Sequence, residues 1–329
     1  MSVTSKQWQL TTESELPTKY QAEIEPFWQQ HVNHGHFNGR DDVQIYYASA
    51  IHPNSRGDIV ISNGRIESLL KYKEVIFDLY QNGFSVFALD HRGQGKSGRM
   101  HSDPHRGFVR HFDDYVADLD HFVRHVVKDM SQHPLNLLCH SMGSAIGAMY
   151  LTQHPNMFCK AAFCAPMFGI QPVLPPWLSR AMGHTLIGIN RLLSSTPWYF
   201  PGQSGYRALS FEQNVLTRSQ VRYQIFRDEY QRSPDIQLGG VTSHWLLAAV
   251  NAMQHILTNA QHITLPTMLL QAKADQVVHN ISQNAVLAAM PNAHKYIYDD
   301  SEHEILMERD EIKNKALGDI MTFFTVNVP

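Results

Sequence analysis

Three residues of this chain could together activate a hydroxyl for attack on an ester carbonyl. Ser141 lies in Cys139-His140-Ser141-Met142-Gly143, between the apolar run Leu135-Asn136-Leu137-Leu138 and a stretch of small and apolar residues over 144–151. The first reads as a short buried strand and the second as a helix, so the serine stands on the turn between them. Residues two before and two after such a serine must be small, because strand and helix approach closely there. Gly143 meets this, and Cys139 is a small substitute for a first glycine. The competing reading is a serine that only caps its helix.

A serine hydroxyl is a weak nucleophile until an imidazole takes its proton, and that imidazole needs a carboxylate to fix its tautomer. Asp275 follows an expected strand over 267–271, and His303 follows the next, over 295–298. No acid follows Ala161-Ala-Phe-Cys164, which continues Ala165-Pro166-Met167, so a rival position for the carboxylate is missing. Asp299, Asp300, Glu302 and Glu304 stand too near His303 in sequence to turn back onto its ring. Asp275 is therefore the expected partner.

Attack on a carbonyl also needs N–H donors for the oxyanion. One is the backbone N–H of Met142. The other should come from the loop after an early strand, and Asn63-Gly64-Arg65 turns out of the run Asp58-Ile-Val-Ile-Ser62, which nominates Arg65. Asn-Gly is also an ordinary turn signal. The Arg65 guanidinium offers a planar fork suited to phosphate oxygens, so its side chain is a candidate for substrate binding. A pair with Glu67 or another loop acid is the alternative.

These residues need a scaffold of alternating elements. Strands are expected over 43–47, 58–62 and 85–89, with helices over 71–80 and 112–128, an alternation that calls for a mostly parallel sheet with helices on both faces. From about Pro166 the pattern changes to clustered Pro, Trp and Tyr with few strand signals. Behind Pro175-Pro176-Trp177, the residues Leu178, Met182, Leu186, Ile189 and Leu193 recur every three or four positions, as on one face of a helix. Further helices are expected over 214–223 and 239–245. The predicted division is a core over 1–165 with a polar N-terminal lead-in anchored at Glu23–Trp28, a helical lid over 166–265, and the rest of the core over 266–329. Leu186 and Ile189 either line an acyl-chain pocket or pack the lid onto the core.

Five stretches carry a resemblance: Ser62-Asn-Gly-Arg-Ile-Glu-Ser68, Leu89-Asp-His-Arg-Gly-Gln-Gly-Lys-Ser-Gly98, the Ser141 turn, Ala165-Pro-Met-Phe-Gly-Ile170, and His303-Glu304. Together they resemble the bacterial inner-membrane lysophospholipases, in the monoacylglycerol-lipase-like branch of the α/β-hydrolases, from about Phe27 to the C-terminus. The resemblance implies an α/β-hydrolase fold with an eight-stranded, mostly parallel sheet and an inserted helical lid. It also implies serine-dependent cleavage of the acyl ester of a lysophospholipid, without metal or organic cofactor. Carried over by position, the nucleophile falls on Ser141, the acid on Asp275, the base on His303, and the oxyanion donors on Arg65 and Met142. Cys139 and Ser144 depart from the family's small residues. A monoacylglycerol lipase or general carboxylesterase with the same machinery is the alternative, and an inactive, lipid-binding hydrolase fold is more remote.

Composition fits an intracellular enzyme. The 329 residues are 43% hydrophobic, enough for one large core plus an insertion, and a net charge of −3 argues against a nucleic-acid partner. Three cysteines, Cys139, Cys159 and Cys164, suggest free thiols in a reducing compartment. Neither a signal-like apolar run near Met1 nor an apolar stretch of about 18 residues is present, so the expected location is cytoplasmic, with any contact to the inner face of the cytoplasmic membrane peripheral and made through the lid. Histidines cluster at His31, His34 and His36 and at His101, His105 and His111 among the 20 in the chain. Neither group has a carboxylate at a spacing that suggests a metal. Gly93-Gln-Gly95-Lys96-Ser97 lacks the glycine spacing of a phosphate-cradling loop.

Overall fold

Strands with continuous apolar sequence can be buried only if both of their faces are covered. Asp58-Ile-Val-Ile-Ser62 and Ser85-Val-Phe-Ala-Leu89 are of this kind, and every residue of both is buried. The structure is a computed structural model that describes residues 8–172 and 175–326. The polar lead-in up to residue 7, and residues 173 and 174 of the segment leading to the expected stripe helix, lie outside the described residues. One sheet contains β1 (Asn33–Asn38), β2 (Gln44–Ala50), β3 (Asp58–Ser62), β4 (Ser85–Leu89), β5 (Leu135–His140), β6 (Lys160–Cys164), β7 (Thr267–Ala272) and β8 (Ala293–Tyr298). Their order is β1-β2-β4-β3-β5-β6-β7-β8. β2 is antiparallel to β1 and β4, and all other pairs are parallel. This is the expected α/β-hydrolase sheet.

Alternate strand residues feed two cores, as the two-residue period of a strand requires. Ile59, Ile61, Val86 and Ala88 pack with Val75 and Leu79 of the helix Lys73–Gln81 and with Leu317 and Ile320 of the helix Asp310–Thr325. Val60, Phe87 and Leu89 pack with Leu119 of the helix Asp113–Phe122 and with Ala145 and Met149 of the helix Met142–Gln153. Ile24, Phe27 and Trp28 of the N-terminal anchor are buried in the first core, on a helical stretch over 16–30. The sequence signal did not reveal β1. Its residues, Asn-His-Gly-His-Phe-Asn, are polar and largely exposed at the sheet edge, and only pairing with β2 makes them a strand.

The insertion between β6 and β7 contains the helices Pro176–Leu193, Gln220–Arg232 and Ser243–Asn259. The helix expected from 214 begins later. Ser219 caps it by accepting a hydrogen bond from the Arg222 N–H, while the Asn214 side chain folds its own segment into a turn by accepting from Leu216 N–H at 2.8 Å. The apolar stripe is also rotated. Gly183, Ile187 and Asn190 are buried, Leu178, Met182 and Leu186 are half-buried, and Ile189 and Leu193 are exposed. Gly183 explains this, because a Cβ there would lie 3.2 Å from Leu247, so the closest approach to the helix Ser243–Asn259 runs through the glycine.

Candidate active site

Parallel strands deliver their C-terminal ends to one edge of the sheet, and the loops after β5, β7 and β8 meet there. Ser141 ends β5 with φ 48° and ψ −114°, a conformation that a side chain adopts only when its surroundings hold it. Its N–H donates to the Cys164 carbonyl at 3.0 Å, and its carbonyl accepts from Met167 N–H at 3.1 Å. Gly143 is obligatory here. A Cβ at that position would overlap the carbonyl oxygen of Ser62. Cys139 is tolerated for a matching reason: it is fully buried, and its Sγ fills the space that a Cβ on Gly147 would take. Ser144 is buried with no hydrogen-bond partner for its hydroxyl among the described residues.

His303 connects Ser141 to Asp275. Its Nε2 lies 2.8 Å from Ser141 Oγ and its Nδ1 lies 2.7 Å from Asp275 Oδ2. Both ring nitrogens are engaged, so the imidazole can present a lone pair to the serine while donating its N–H to the carboxylate. Asp275 Oδ1 accepts from the N–H groups of Val277 and Val278 at 2.8 and 2.9 Å. Burial works against charge on this carboxyl, but the bond to His303 and the two amides overcome it and hold the group below its ordinary value. Among the described residues none of Asp299, Asp300, Glu302 and Glu304 forms a hydrogen bond or ion pair with the ring; Glu304 turns to Lys71.

The loop over 63–67 is braced from behind by residues that the sequence reading did not assign. Glu67 accepts from Gly64 N–H and from the Tyr72 hydroxyl at 2.8 Å, and faces His140 Nδ1 at 3.1 Å and Lys71 Nζ at 3.4 Å. His140 Nε2 reaches the His303 carbonyl at 3.2 Å. Burial disfavours charge on the His140 ring, yet the Glu67 carboxylate prevails and raises its pKa; His140 and Lys71 likewise overcome burial to lower that of Glu67. Gln94 donates from Nε2 to the carbonyls of Gly64 and Glu67 at 2.7 and 3.0 Å, which explains the Gly-Gln-Gly loop. Gly95 must lack a side chain because Asp90 occupies that space. Glu67 three residues after Gly64, the spacing of a carboxylate reaching back to an N–H, was the available signal.

Met142 opens its helix, where an N–H has no intrahelical acceptor. The Arg65 N–H has none among the described residues either. Both are therefore able to serve an oxyanion. The Arg65–Glu67 pair does not form: Arg65 instead donates from Nη2 to the Gly239 carbonyl and lies 5.3 Å over the Trp245 ring. Burial lowers the Arg65 pKa to about 10. Leu186 is half-buried and Ile189 is 44% exposed, so Ile189 faces outward rather than into an enclosed pocket. Among the described residues no three His, Cys, Asp or Glu side chains converge as a metal would need. His34 bonds the Tyr46 hydroxyl at 2.8 Å. A cleft of about 970 Å³ between the 16–30 helical stretch and the helix Gln220–Arg232 contains none of the three residues Ser141, Asp275 and His303.

Residues 53–310 match the family model described as serine aminopeptidase, S33. Lysophospholipase L2 of Escherichia coli strain K12 is 35% identical over 326 residues, covering 97% of this chain and 94% of that protein. The chain belongs to the lysophospholipase L2 family of S33 serine hydrolases. A second relative, the monoglyceride lipase of Rattus norvegicus, is 27% identical and covers 80% of this chain and 81% of its own length. The crystal structure of Paleococcus ferrophilus monoacylglycerol lipase superposes with a TM-score of 0.66 at 19% identity, over 85% of this chain and 98% of that one. Membership of this family makes the protein an enzyme.

Proposed function

We propose that the protein hydrolyses the acyl ester of lysophospholipids, with Ser141 as nucleophile, His303 as general base and acid, and Asp275 orienting the imidazole. The hydrogen-bonded chain Asp275–His303–Ser141 carries this reading. As Ser141 Oγ bonds to the ester carbon, its proton passes to His303 Nε2 and the carbonyl electrons move onto oxygen, where the N–H groups of Met142 and Arg65 receive them. Collapse of that intermediate breaks the bond to the glycerol oxygen, which takes the proton from His303. Water then repeats the sequence on the acyl-enzyme and releases a fatty acid. Side chains and water suffice, with no cofactor.

The substrate class rests on the Escherichia coli relative, and the rat relative supports monoacylglycerol as the alternative. We assign residues 1–165 and 266–329 to the hydrolase core and 166–265 to a lid. The lid exposes Trp177 at 70% and Leu192 at 85%, together with Ile189, Leu193 and Trp198, an apolar surface suited to a bilayer. No helix among the described residues is long and apolar enough to cross a membrane. A peripheral place on the inner face of the cytoplasmic membrane follows from this reading, with Leu186 nearest to the acyl chain.

The test compares turnover of lysophosphatidylethanolamine, monoacylglycerol and a short p-nitrophenyl ester. Preference for the first by kcat/KM is expected; preference for the second would replace the substrate assignment. A fluorophosphonate should label Ser141, and labelling of Ser141→Ala would overturn the mechanism.

A further inference from the structure

Arg65 leads from the oxyanion loop into a seam of basic side chains with almost no acid to balance them. The seam forms where the loop over 99–111 meets the insertion: Gly107 N–H donates to Gly240 O at 2.9 Å, Thr242 N–H to Gly107 O at 2.8 Å, and Gly239 N–H to His105 O at 2.7 Å. The Arg65 guanidinium sits at this junction, against Gly107 and Gly239 and over Trp245. His244, next to Trp245, packs on Phe108 at 5.3 Å, and His101 meets the same ring edge-on at 4.4 Å. Arg106 lies 5.1 Å over Tyr199.

Arg110 follows Phe108 by two residues at the end of the same loop, and the charge of Arg191, on the helix Pro176–Leu193, is felt by His244; both arginines are exposed and neither has an ion-pair partner among the described residues. The acid within the seam is Asp103, already shared among Arg106 at 3.3 Å, the Tyr199 hydroxyl at 2.8 Å and the His105 N–H at 3.0 Å. Burial and then the charges of Arg106 and Arg110 lower the pKa of His101, and burial followed by Arg191, His101 and Arg110 lowers that of His244. Both rings are thus held in the neutral form amid an excess of arginine charge.

Several nitrogens of the seam are also unused. Arg65 Nε, His101 Nε2, Arg106 Nε and Nη1, and His244 Nδ1 are buried without a hydrogen-bond partner. Buried polar atoms without partners are few in a folded protein, so five in one seam among the described residues are an unusual concentration. An anion with several acceptor oxygens would answer both the missing acceptors and the excess of positive charge. The ester and phosphate of a lysophospholipid are separated by one glycerol unit, a span comparable with an extended arginine side chain. Arg65 can thus offer its N–H to one end and its guanidinium to the other.

We propose that the seam of Arg65, His101, Arg106, Arg110, Arg191 and His244 is the headgroup subsite, which takes the phosphodiester of the substrate. This rests on the lysophospholipid reading above. Arg110 and Arg191 draw the anion in from solvent, and Arg65 holds it beside the scissile ester.

The experiment uses octanoyl lysophosphatidylglycerol and 1-octanoylglycerol, both kept monomeric, on the full chain and on the double variant Arg110→Ala/Arg191→Ala. The ratio of kcat/KM for the phospholipid to that for the glycerolipid should fall about tenfold or more, through KM, and the rise of the phospholipid KM with salt should flatten. Arg191→Glu, a single surface change, should lower the ratio in the same way. A ratio within twofold of wild type in both variants overturns the subsite. So does loss of binding to anionic vesicles with the monomer ratio intact, which would make the seam a membrane contact. Wild-type protein that cleaves octanoylglycerol but not the lysophospholipid would instead overturn the substrate reading itself.

Discussion

Glu67 and His140 form a buried hydrogen-bonded pair, 3.1 Å apart, that fastens the loop over 63–67 to the strand end carrying Ser141. The carboxylate also accepts the Gly64 N–H, and the far side of the imidazole reaches the His303 carbonyl. One pair of side chains thus sets the relative position of the loop with the proposed oxyanion donor and the loop with the proposed base.

Glu67→Gln should therefore impair chemistry and folding together. Removing the carboxylate takes away the acceptor that His140, Tyr72 and Gly64 share, and a buried hydrogen-bonding group left without its partner costs about 1–3 kcal/mol. Lys71 keeps Glu304, which puts the loss on those three. The expected outcome is a lower Tm with a fall in kcat larger than the change in KM. A variant with wild-type kcat would show that the pair serves stability alone.

Asp275→Asn should be close to isosteric and yet strongly impaired. The amide oxygen can still accept from Val277 and Val278, but the amide nitrogen facing His303 Nδ1 favours the tautomer that carries its proton on Nε2. That nitrogen then cannot accept the serine proton. Turnover should fall on the order of 10³ to 10⁴-fold with little change in Tm, as measured by steady-state kinetics and thermal melts. A loss below tenfold would remove Asp275 from the proposed triad.

The insertion helix offers a contrast between two apolar residues. Ile189 is 44% exposed and Leu192 is 85% exposed, so Ile189→Ser and Leu192→Ser should leave stability within about 0.5 kcal/mol. Both should weaken binding to lipid vesicles and slow cleavage of palmitoyl esters there, while a soluble acetyl ester is cleaved as before. Leu186→Ser, at a half-buried position, should also lower Tm. Equal losses on acetyl and palmitoyl esters would assign the helix to packing.

His91 should make the fold acid-sensitive. It is buried against Ser62 Oγ at 2.9 Å, and burial lowers its pKa from 6.5 to about 3. The unfolded chain therefore binds the extra proton first. The stability carried by neutral His91 is complete above pH 6.5 and is lost as pH falls toward 3, by about 3 kcal/mol at pH 4. His91→Gln can still bond Ser62, so its Tm should fall less steeply between pH 7 and pH 4, as followed by thermal melts. Parallel curves for the two proteins would place the acid sensitivity elsewhere.

The sequence by itself determined the strand-turn-helix that holds Ser141, the strands β2 to β8 in a mostly parallel sheet, and the positions of Asp275 and His303 after β7 and β8. These are local signals: apolar runs long enough to be buried on both faces, and small residues where a strand and helix touch. It also determined that Gly143 had to be small. Only the tertiary structure decided what pairs with what. β1 is a strand because β2 lies beside it, not because its polar residues prefer that state. The insertion stripe turned outward because Gly183 allows Leu247 close, a contact between residues far apart in the chain. Arg65 and Glu67 are two positions apart yet face different partners, Trp245 and His140, because charge and ring contacts are settled by distance in space, which a spacing along the chain does not encode.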